Sequence, residues 1–390
     1  MIKHSQYFTA AIYSSALVSA IDINNVNNIL DLGIGDGSLS YASLSRWPQA
    51  HITAFDIDEN ICNKYTGNSQ IEVMKEDVLS NTFCEIYSEQ KFDLAICNPP
   101  FAKIKKRDIF DSLFEKANLT ECKQIKQLTA DLLFLTINLI QIKESGYCAI
   151  ILPDGPLTRI DYKPFRKALL SNYRILKILE LPDKSFRGTE ARTHILIIRK
   201  EVPINSYTEL SLMGPDGEII DSLYVPQEDL VFRLDFTYNK WKHKTPIENI
   251  GNNLKIDIKR GSFTYKELRE STFRYIHSNS FNDGDVLEFE ESDYSQMSSK
   301  VIATAGDIIM CRVGKRCVGK IGYVKSGKVL LSDCLYKISV PQSRSKQLFG
   351  ILKDRESKEW VKISAHGVCS KVISKTDLLW YASMRITSIM

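Results

Sequence analysis

The stretch Ile96-Cys97-Asn98-Pro99-Pro100-Phe101 decides how the rest of the chain is interpreted. It ends an apolar run from Phe92 to Cys97, which is typical of a buried strand in a parallel sheet. Ligands of such sheets bind beyond the carboxyl ends of the strands, so this position favours chemistry at Asn98. The two prolines remove backbone donors and leave an acceptor-rich corner beside the flat ring of Phe101. Such a corner suits the amino group of a planar base, although the tetrapeptide alone fits an ordinary Pro-Pro turn equally well.

Apolar runs and helical patterns alternate through the first half of the chain. Helical spacing is found in residues 9–22, Ile125–Lys143 and Tyr162–Ser171, and Ser38 is predicted to cap a further helix. The alternation predicts a doubly wound parallel sheet, and the last two strands, which lack a helix between them, predict an antiparallel pair at one edge. The predicted strands are Asn28–Gly33, His51–Asp58, Ile71–Met74, Phe92–Cys97, Tyr147–Leu152, Ile175–Leu181 and Thr193–Arg199.

Aspartates accompany three successive predicted strands. Asp31 precedes the turn Gly33-Ile34-Gly35-Asp36-Gly37, and Asp56 and Asp77 mark the ends of the second and third strands. Glycines let a ligand approach the backbone closely, and a carboxylate after the second strand can accept hydrogen bonds from ribose hydroxyls. Taken alone, this layout fits nicotinamide and flavin dinucleotides as well as S-adenosylmethionine. The Gly-x-Gly-x-Gly spacing, an Asp31 able to attract a cationic methionine portion and an Asp77 able to accept from an adenine amino group favour S-adenosylmethionine.

Two further segments bear on domain organisation. The charged segment Ala102–Lys123 is interpreted as a mobile flap, a phosphate-facing insert or a solvated surface helix. The alternation of apolar runs and helical patterns becomes irregular over residues 203–250. We therefore place a domain boundary in this region, between domains at 1–240 and 241–390. The second domain contains a predicted helix, Lys346–Lys353. It also contains short β-like runs, which are Val301–Ala303, Asp307–Val313, Lys320–Val324, Val329–Leu331 and Leu335–Val340.

Composition excludes several classes of protein. The chain of 390 residues lacks an apolar run long enough for a transmembrane helix, and its first residues lack the layout of a signal peptide, so we expect a cytoplasmic protein that does not enter membranes. The nine cysteines form no Cys-x-x-Cys pair, which favours buried reduced thiols and predicts no metal site. Residues 1–240 carry five more acidic than basic side chains, whereas residues 241–390 carry nine more basic than acidic ones. This asymmetry favours contact between the second half and a polyanion.

With Asn98–Phe101 after the fourth predicted strand, residues 1 to about 200 resemble the amino-group DNA methyltransferases of the adenine-N6 type. The resemblance implies a Rossmann-like, seven-stranded S-adenosylmethionine-dependent domain with one antiparallel strand. It implies a catalytic motif of Asn98, Pro99, Pro100 and Phe101, with Phe101 stacking on the target base and Phe186 packing against that base. The cofactor-binding residues that it implies are Tyr7, Thr9, Asp31, Gly33, Gly35, Asp56, Ile57, Asp77 and Val78.

The second half resembles the target-recognition domains of type I restriction-modification specificity subunits. The similar segments are Leu254–Phe263, Ala305–Gly314, Gly319–Gly322 and Ser374–Leu378. The resemblance implies a smaller, β-rich α+β domain that reads double-stranded DNA. The candidate phosphate or base contacts are Lys259, Arg260, Lys315, Arg316 and Lys320.

Together these features predict a site-specific adenine-N6 DNA methyltransferase. Asn98 and the Pro99 carbonyl would accept the two N–H bonds of an adenine that has left the duplex. His194, in a predicted strand, is interpreted as structural. The expected partners are double-stranded DNA and a cognate restriction endonuclease on a separate chain. The alternatives are methylation of rRNA or of a protein glutamine, and a non-catalytic DNA-binding subunit that keeps the fold.

Overall fold

The computed structural model describes residues 9–86, 91–183, 185–186, 192–244, 256–270, 273–291, 294, 300–365 and 370–387. The chain divides into two compact units, Met1–Lys240 and Trp241–Met390. Each unit is described by itself below.

The described residues of the first unit form a sheet of nine strands in the order β3-β2-β1-β4-β7-β9-β8-β10-β11. Neighbouring strands run parallel, except that β9 is antiparallel to β7 and β8, and β11 is antiparallel to β10. The strands are β1 (Asn28–Leu32), β2 (His51–Asp56), β3 (Ile71–Lys75), β4 (Phe92–Cys97), β7 (Ile142–Pro153), β8 (Arg174–Glu180), β9 (Thr193–Arg199), β10 (Tyr207–Met213) and β11 (Ile219–Pro226).

The predicted count of seven strands is therefore wrong, although each predicted strand is present. The two additional strands, β10 and β11, lie in the region where the sequence pattern loosens, and Gly217 at their turn has a φ of 84°. The antiparallel pairing of β8 with β9 is confirmed. Its predicted position at the sheet edge is wrong, because β10 pairs with β8 on the far side.

Helices cover both faces of this sheet, so its central strands are buried on both sides. In β1, Ile29 packs in one apolar cluster and Leu30 in the other, which is the alternation expected of a strand between two layers. The helices of this unit are α1 (Ala11–Ser19), α2 (Ser38–Arg46), α3 (Glu59–Asn63), α4 (Asn81–Ile86), α5 (Asp108–Lys116), α6 (Ala130–Gln141), α7 (Asp154–Thr158) and α8 (Lys163–Asn172). A further helix, α9 (Phe236–Lys244), begins in this unit and continues past its last residue, Lys240.

Two helix starts differ from the predictions. Helix α2 begins at Ser38, with Gly37 at the N-cap and a φ of 77°, so Ser38 is the first helical residue and not the cap. Helix α6 begins at Ala130, well inside the predicted range. The preceding residues form β6 (Leu128–Thr129), which pairs with β5 (Lys103–Ile104).

The segment Ala102–Lys123 is packed against the domain. Helix α5 buries Phe110, Leu113 and Phe114 in the apolar core, and Cys122 is also buried. The alternative of a solvated surface helix is therefore confirmed in part, because α5 is a helix with one covered apolar face and with Glu115 and Lys116 exposed.

In the part of the second unit that the structure describes, the strands form a five-stranded sheet, in the order β12-β19-β16-β17-β14, and a three-stranded sheet, β13-β18-β15. The β-like runs predicted between 301 and 340 coincide with five of these strands. The strands are β12 (Asp257–Arg260), β13 (Tyr275–Ile276), β14 (Asp285–Glu288), β15 (Ile302–Thr304), β16 (Ile308–Cys311), β17 (Ile321–Ser326), β18 (Lys328–Leu331) and β19 (Leu335–Ser339).

Helices α11 and α13 of this unit pack together and α12 adjoins α11, with aromatic side chains in their core. The ring of Trp360 stacks on Tyr381 with centroids 4.0 Å apart, and Trp241 packs at 5.9 Å from Tyr381. The predicted helix Lys346–Lys353 is the C-terminal part of α11. The helices are α10 (Tyr265–Arg269), α11 (Gln342–Lys353), α12 (Arg355–Ser364) and α13 (Lys375–Thr387).

The described parts of both units are alike in their helices and their cysteines. None of their helices is long and apolar enough to cross a membrane. Cys97, Cys148 and Cys311 are buried within strands as free thiols, as the sequence predicts.

Candidate active site

A cavity of about 500 Å³ lies at the carboxyl ends of β1, β2, β3 and β4. This edge is where parallel α/β sheets place their ligands. The sequence-predicted residues that line the cavity are Thr9, Asp31, Gly33, Gly35, Asp56, Ile57, Asp77, Val78, Asn98, Pro99 and Pro100.

The glycine turn after β1 is held to the end of β2. The Gly33 N–H donates to the Phe55 carbonyl at 2.7 Å, and the Gly35 N–H donates to Asp56 Oδ2 at 3.1 Å. Gly33 and Gly35 have φ values of 79° and 56°, in the left-handed region that favours glycine. Asp56 Oδ1 accepts from the Asp58 N–H at 2.9 Å, so the carboxylate is fixed in position before any ligand arrives.

Asp31 is a buried carboxyl group at the bottom of the cavity. Ser40 Oγ donates a hydrogen bond to its Oδ2 at 2.7 Å. The pKa of Asp31 is raised to about 7, mainly by burial, with a smaller contribution from the negative charges of Asp56 and Asp36, while the Ser40 hydrogen bond acts in the opposite direction. A cation bound beside this group would favour its ionised form, so the site is suited to a positively charged ligand.

The part of the cavity near β2 and β3 combines apolar surface with a carboxylate. Ile57 is 47% exposed and the buried Val78 also lines this part of the cavity. Asp77 Oδ1 accepts from the Leu79 N–H at 3.0 Å, which fixes the backbone on both sides of Val78. A flat aromatic ring with an amino group on its edge matches this combination.

Asn98 lies at the end of β4, where its side-chain amide donates to Thr9 Oγ1 at 2.9 Å. This hydrogen bond joins the predicted catalytic residue to a predicted cofactor residue that is distant in sequence. Pro99 and Pro100 line the same wall of the cavity. Tyr7, which is also predicted to bind the cofactor, lies outside the described residues.

Two predicted base contacts lie away from the cavity wall. Phe101 is partly buried against the apolar cluster on the α1 side of the sheet. Phe186 is 2% exposed in the same cluster, with its ring centroid 5.7 Å from that of Tyr13. In this arrangement both rings serve as packing residues, and their contact with a base stays a prediction.

Residues 3–209 match the family described as N-6 DNA Methylase. The chain belongs to this family. Its members take a methyl group from S-adenosylmethionine, which is therefore the cofactor of the methylase domain, residues 3–209. The cavity fits this group, because it places carboxylates, glycines and apolar surface at consecutive strand ends.

Three similar proteins illustrate the match. The Type II methyltransferase M.AccI of Acinetobacter calcoaceticus is 25% identical over 232 residues, 56% of this chain and 42% of that protein. A tRNA1(Val) (adenine(37)-N6)-methyltransferase of Glaesserella parasuis is 32% identical over 106 residues, 24% of this chain and 43% of that protein. The crystal structure of the type IIG restriction endonuclease BpuSI matches 94% of this chain and 57% of its own, with 14% identity and a TM-score of 0.49. The chain thus spans less than half the length of each of these two curated relatives.

The residues that sequence reasoning missed in the methylase domain include the buried Asp131 and the partly buried Asp154. Asp131, in the first turn of α6, is 1% exposed, and burial raises its pKa to about 7. Asp154 contacts His194 Nε2 at 3.3 Å. Burial acts to raise the pKa of Asp154, but the His194 contact and nearby arginines outweigh it and hold this pKa far below its usual range. The sequence feature that could have identified Asp131 is its position as an acidic residue within the apolar run of α6.

The candidate DNA contacts of the second unit have varied surroundings. Lys259 pairs with Asp257 at 3.4 Å, and Arg260 pairs with Asp333 at 2.8 Å. Lys320 donates to the Phe281 carbonyl at 2.7 Å. Lys315 and Arg316 are exposed in the turn between β16 and β17. Their contact with DNA stays a prediction.

Proposed function

We propose that the chain is a site-specific DNA methyltransferase, which moves the methyl group of S-adenosylmethionine to the N6 amino group of an adenine extruded from double-stranded DNA. The observation that carries this proposal is the placement of Asn98, Pro99 and Pro100 on the wall of the cavity that also contains Asp31 and Asp56. An acceptor corner for an amino group and a carboxylate-lined site for a cationic cofactor therefore share one space.

Each part of the cavity has a proposed role in holding the cofactor, which supplies an activated methyl group. Asp31 and the Gly33–Gly35 turn hold its methionine portion, and Asp56 accepts from the ribose hydroxyls. Asp77 accepts from the adenine amino group, and Ile57 packs against that ring. Thr9 belongs to the methionine end, and its hydroxyl links that end to Asn98.

The chemistry depends on how Asn98 is oriented. The lone pair of an adenine amino nitrogen is delocalised into the ring, which makes this nitrogen a weak nucleophile. Hydrogen bonds from its two N–H groups to Asn98 Oδ1 and the Pro99 carbonyl favour a tetrahedral nitrogen with a localised lone pair. Because the Asn98 amide donates to Thr9, this threonine determines which arm of the amide faces the amino group. The adenine has to leave the duplex to reach this corner.

The central test is Asn98→Ala in a single-turnover assay with saturating cofactor and plasmid DNA. We expect the methylation rate to fall at least about 100-fold, as when one preorganised transition-state hydrogen bond is removed. S-adenosylmethionine and DNA affinities should stay close to those of the wild type, because the contact strengthens mainly in the chemical step.

The matched control is Asn63→Ala, on the exposed surface of α3 and away from the cavity, which should leave the rate unchanged. Near wild-type methylation by Asn98→Ala would show that this corner does not perform the reaction.

We also propose that residues 241–390 form the domain that recognises the DNA sequence, and that the enzyme belongs to a restriction-modification system with a nuclease on a separate chain. Two observations support this. The second half carries nine more basic than acidic side chains, and the relative M.AccI is named as a Type II methyltransferase. An RNA adenine is the second candidate substrate, favoured by the tRNA methyltransferase relative. Offering tRNA and rRNA in the same assay distinguishes the two, because methyl incorporation into RNA alone would reject DNA.

A further inference from the structure

Two lysines of the segment that follows the Asn-Pro-Pro-Phe motif lie at the mouth of the cavity. Lys103 and Lys105 both line it, and both side chains are exposed. Ile104, between them, packs against the apolar core. Ile104 also lines the cavity, so these three consecutive residues all border it.

The backbone that carries these lysines is fixed in place. Lys103 and Ile104 pair with Thr129 and Leu128 in the short β5–β6 ladder. The guanidinium of Arg107 donates to the Leu79 carbonyl and to Asn81 Oδ1, which ties the end of the segment to the loop after β3. The backbone of this segment is therefore held beside the cavity by ordered structure on both sides.

Neither ammonium group is neutralised by the protein. Within the described ranges, Lys103 and Lys105 have no ion pair and no side-chain hydrogen bond. Their neighbour Lys106, in contrast, pairs with Asp111 at 3.0 Å and donates to the Lys123 carbonyl. Two uncompensated cations beside a cavity attract an anionic ligand.

The cavity is also lined by the carboxylates of Asp31, Asp36, Asp56, Glu76 and Asp77, of which Asp31, Asp56 and Asp77 are assigned to the cofactor. The lysines follow Asn98 by only five and seven residues and line the same cavity. A target adenine held at Asn98 would bring the phosphates of its own nucleotide to this mouth.

We propose that Lys103 and Lys105 form a binding site for the phosphodiester groups that flank the extruded adenine. This inference rests on the proposed function and adds a backbone contact in the methylase domain to those expected of residues 241–390. Phosphate contacts fix the position of the strand without reading its sequence, so this site would serve any target sequence.

The test compares Lys103→Ala/Lys105→Ala with the control Lys116→Ala/Lys126→Ala. The control removes two exposed lysines that do not line the cavity and carry no ion pair in the described structure. DNA affinity is measured as a function of salt concentration. For the cavity pair, we expect the slope of log affinity against log salt to be shallower by about one to two units, one for each phosphate that the lysines no longer neutralise. The control should keep the wild-type slope, and both variants should keep the wild-type affinity for S-adenosylmethionine.

A second measurement locates the phosphates that these lysines bind. Duplexes with neutral methylphosphonates on either side of the methylated adenine should bind the wild type at least about tenfold more weakly than unmodified DNA. The same substitution should have little effect on Lys103→Ala/Lys105→Ala, because the partner charges are already absent.

Three results would overturn the inference: an unchanged salt slope, a methylphosphonate effect that persists in the cavity variant, or a loss of S-adenosylmethionine affinity, which would assign the lysines to the cofactor carboxylate. Failure of the proposed function is distinguishable, because the wild-type protein itself would then not methylate DNA, and this inference would fall with it.

Discussion

The titration of Asp31 gives a sharp test of the cofactor site. Without a ligand, burial and the neighbouring charges of Asp56 and Asp36 place its pKa at about 7. A cationic ligand binds preferentially to the ionised carboxylate, so below this pKa the site must lose a proton before it can bind. The affinity for S-adenosylmethionine should therefore fall as the pH decreases through 7.

The size of the effect follows from the linkage of one proton. Below the pKa, Kd should rise about tenfold for each pH unit, which gives roughly 100-fold weaker binding at pH 5 than at pH 8. Asp31→Asn removes the ionisable carboxyl group, so this variant should bind S-adenosylmethionine weakly and with a nearly flat pH profile. The two profiles should therefore converge at low pH and separate at high pH.

Isothermal titration calorimetry between pH 5 and 9 measures both profiles. Because Asp31→Asn lacks the titrating carboxyl group, the pH dependence that remains in this variant reports titration of the ligand itself. Asp36→Asn serves as the control, because it removes an exposed charge that raises the pKa of Asp31. Its profile should keep the slope and shift to lower pH. Parallel profiles for the wild type and Asp31→Asn would refute the assignment of Asp31 to the cationic part of the cofactor.

The remaining predictions concern three other parts of the chain. Asp56→Ala should weaken S-adenosylmethionine binding by roughly 1.5–3 kcal/mol because charged hydrogen bonds are removed, and calorimetry showing unchanged affinity would remove Asp56 from the site. The folded-state pKa of Asp131 is raised to about 7, so its contribution to stability is present at low pH and lost as the pH rises through 7. Asp131→Asn should therefore raise Tm relative to the wild type at pH 8 more than at pH 5, and an equal shift at both values would contradict this. The isolated segment 241–390, which retains the buried Trp241 of its core, should bind DNA with strong salt dependence, whereas a folded segment that ignores DNA at low salt would exclude it as the recognition domain.

The sequence was most informative where strands are buried on both faces. β4 is almost entirely buried, so its residues read as a continuous apolar run whose end marks the position of Asn98. The ends of the predicted strands also located Asp31 and Asp56, because the carboxyl ends of parallel strands lie at the same edge of the sheet. The resulting cavity contains eleven of the predicted residues.

The sequence was less informative about features that depend on residues packed nearby in the fold but distant along the chain. β11 exposes Ile220 and Tyr224, so it lacks the alternation that identifies a half-buried strand. The face on which Phe101 packs depends on the backbone after two prolines, and periodicity carries no information about that turn. Asp131 belongs to an apolar helix, and its high pKa follows from the packing of surrounding elements.

The strand β10 also determines where this molecule can be divided. The match to the methylase family ends at residue 209, inside β10 (Tyr207–Met213). A fragment cut there would lose most of β10 and all of β11, and β8 would present its N–H and C=O groups as an open edge. Open edges of this kind pair with other chains and lead to aggregation. The boundary of the family and the boundary of the foldable sheet are therefore different positions, and a fragment intended to remain monomeric has to extend beyond Pro226.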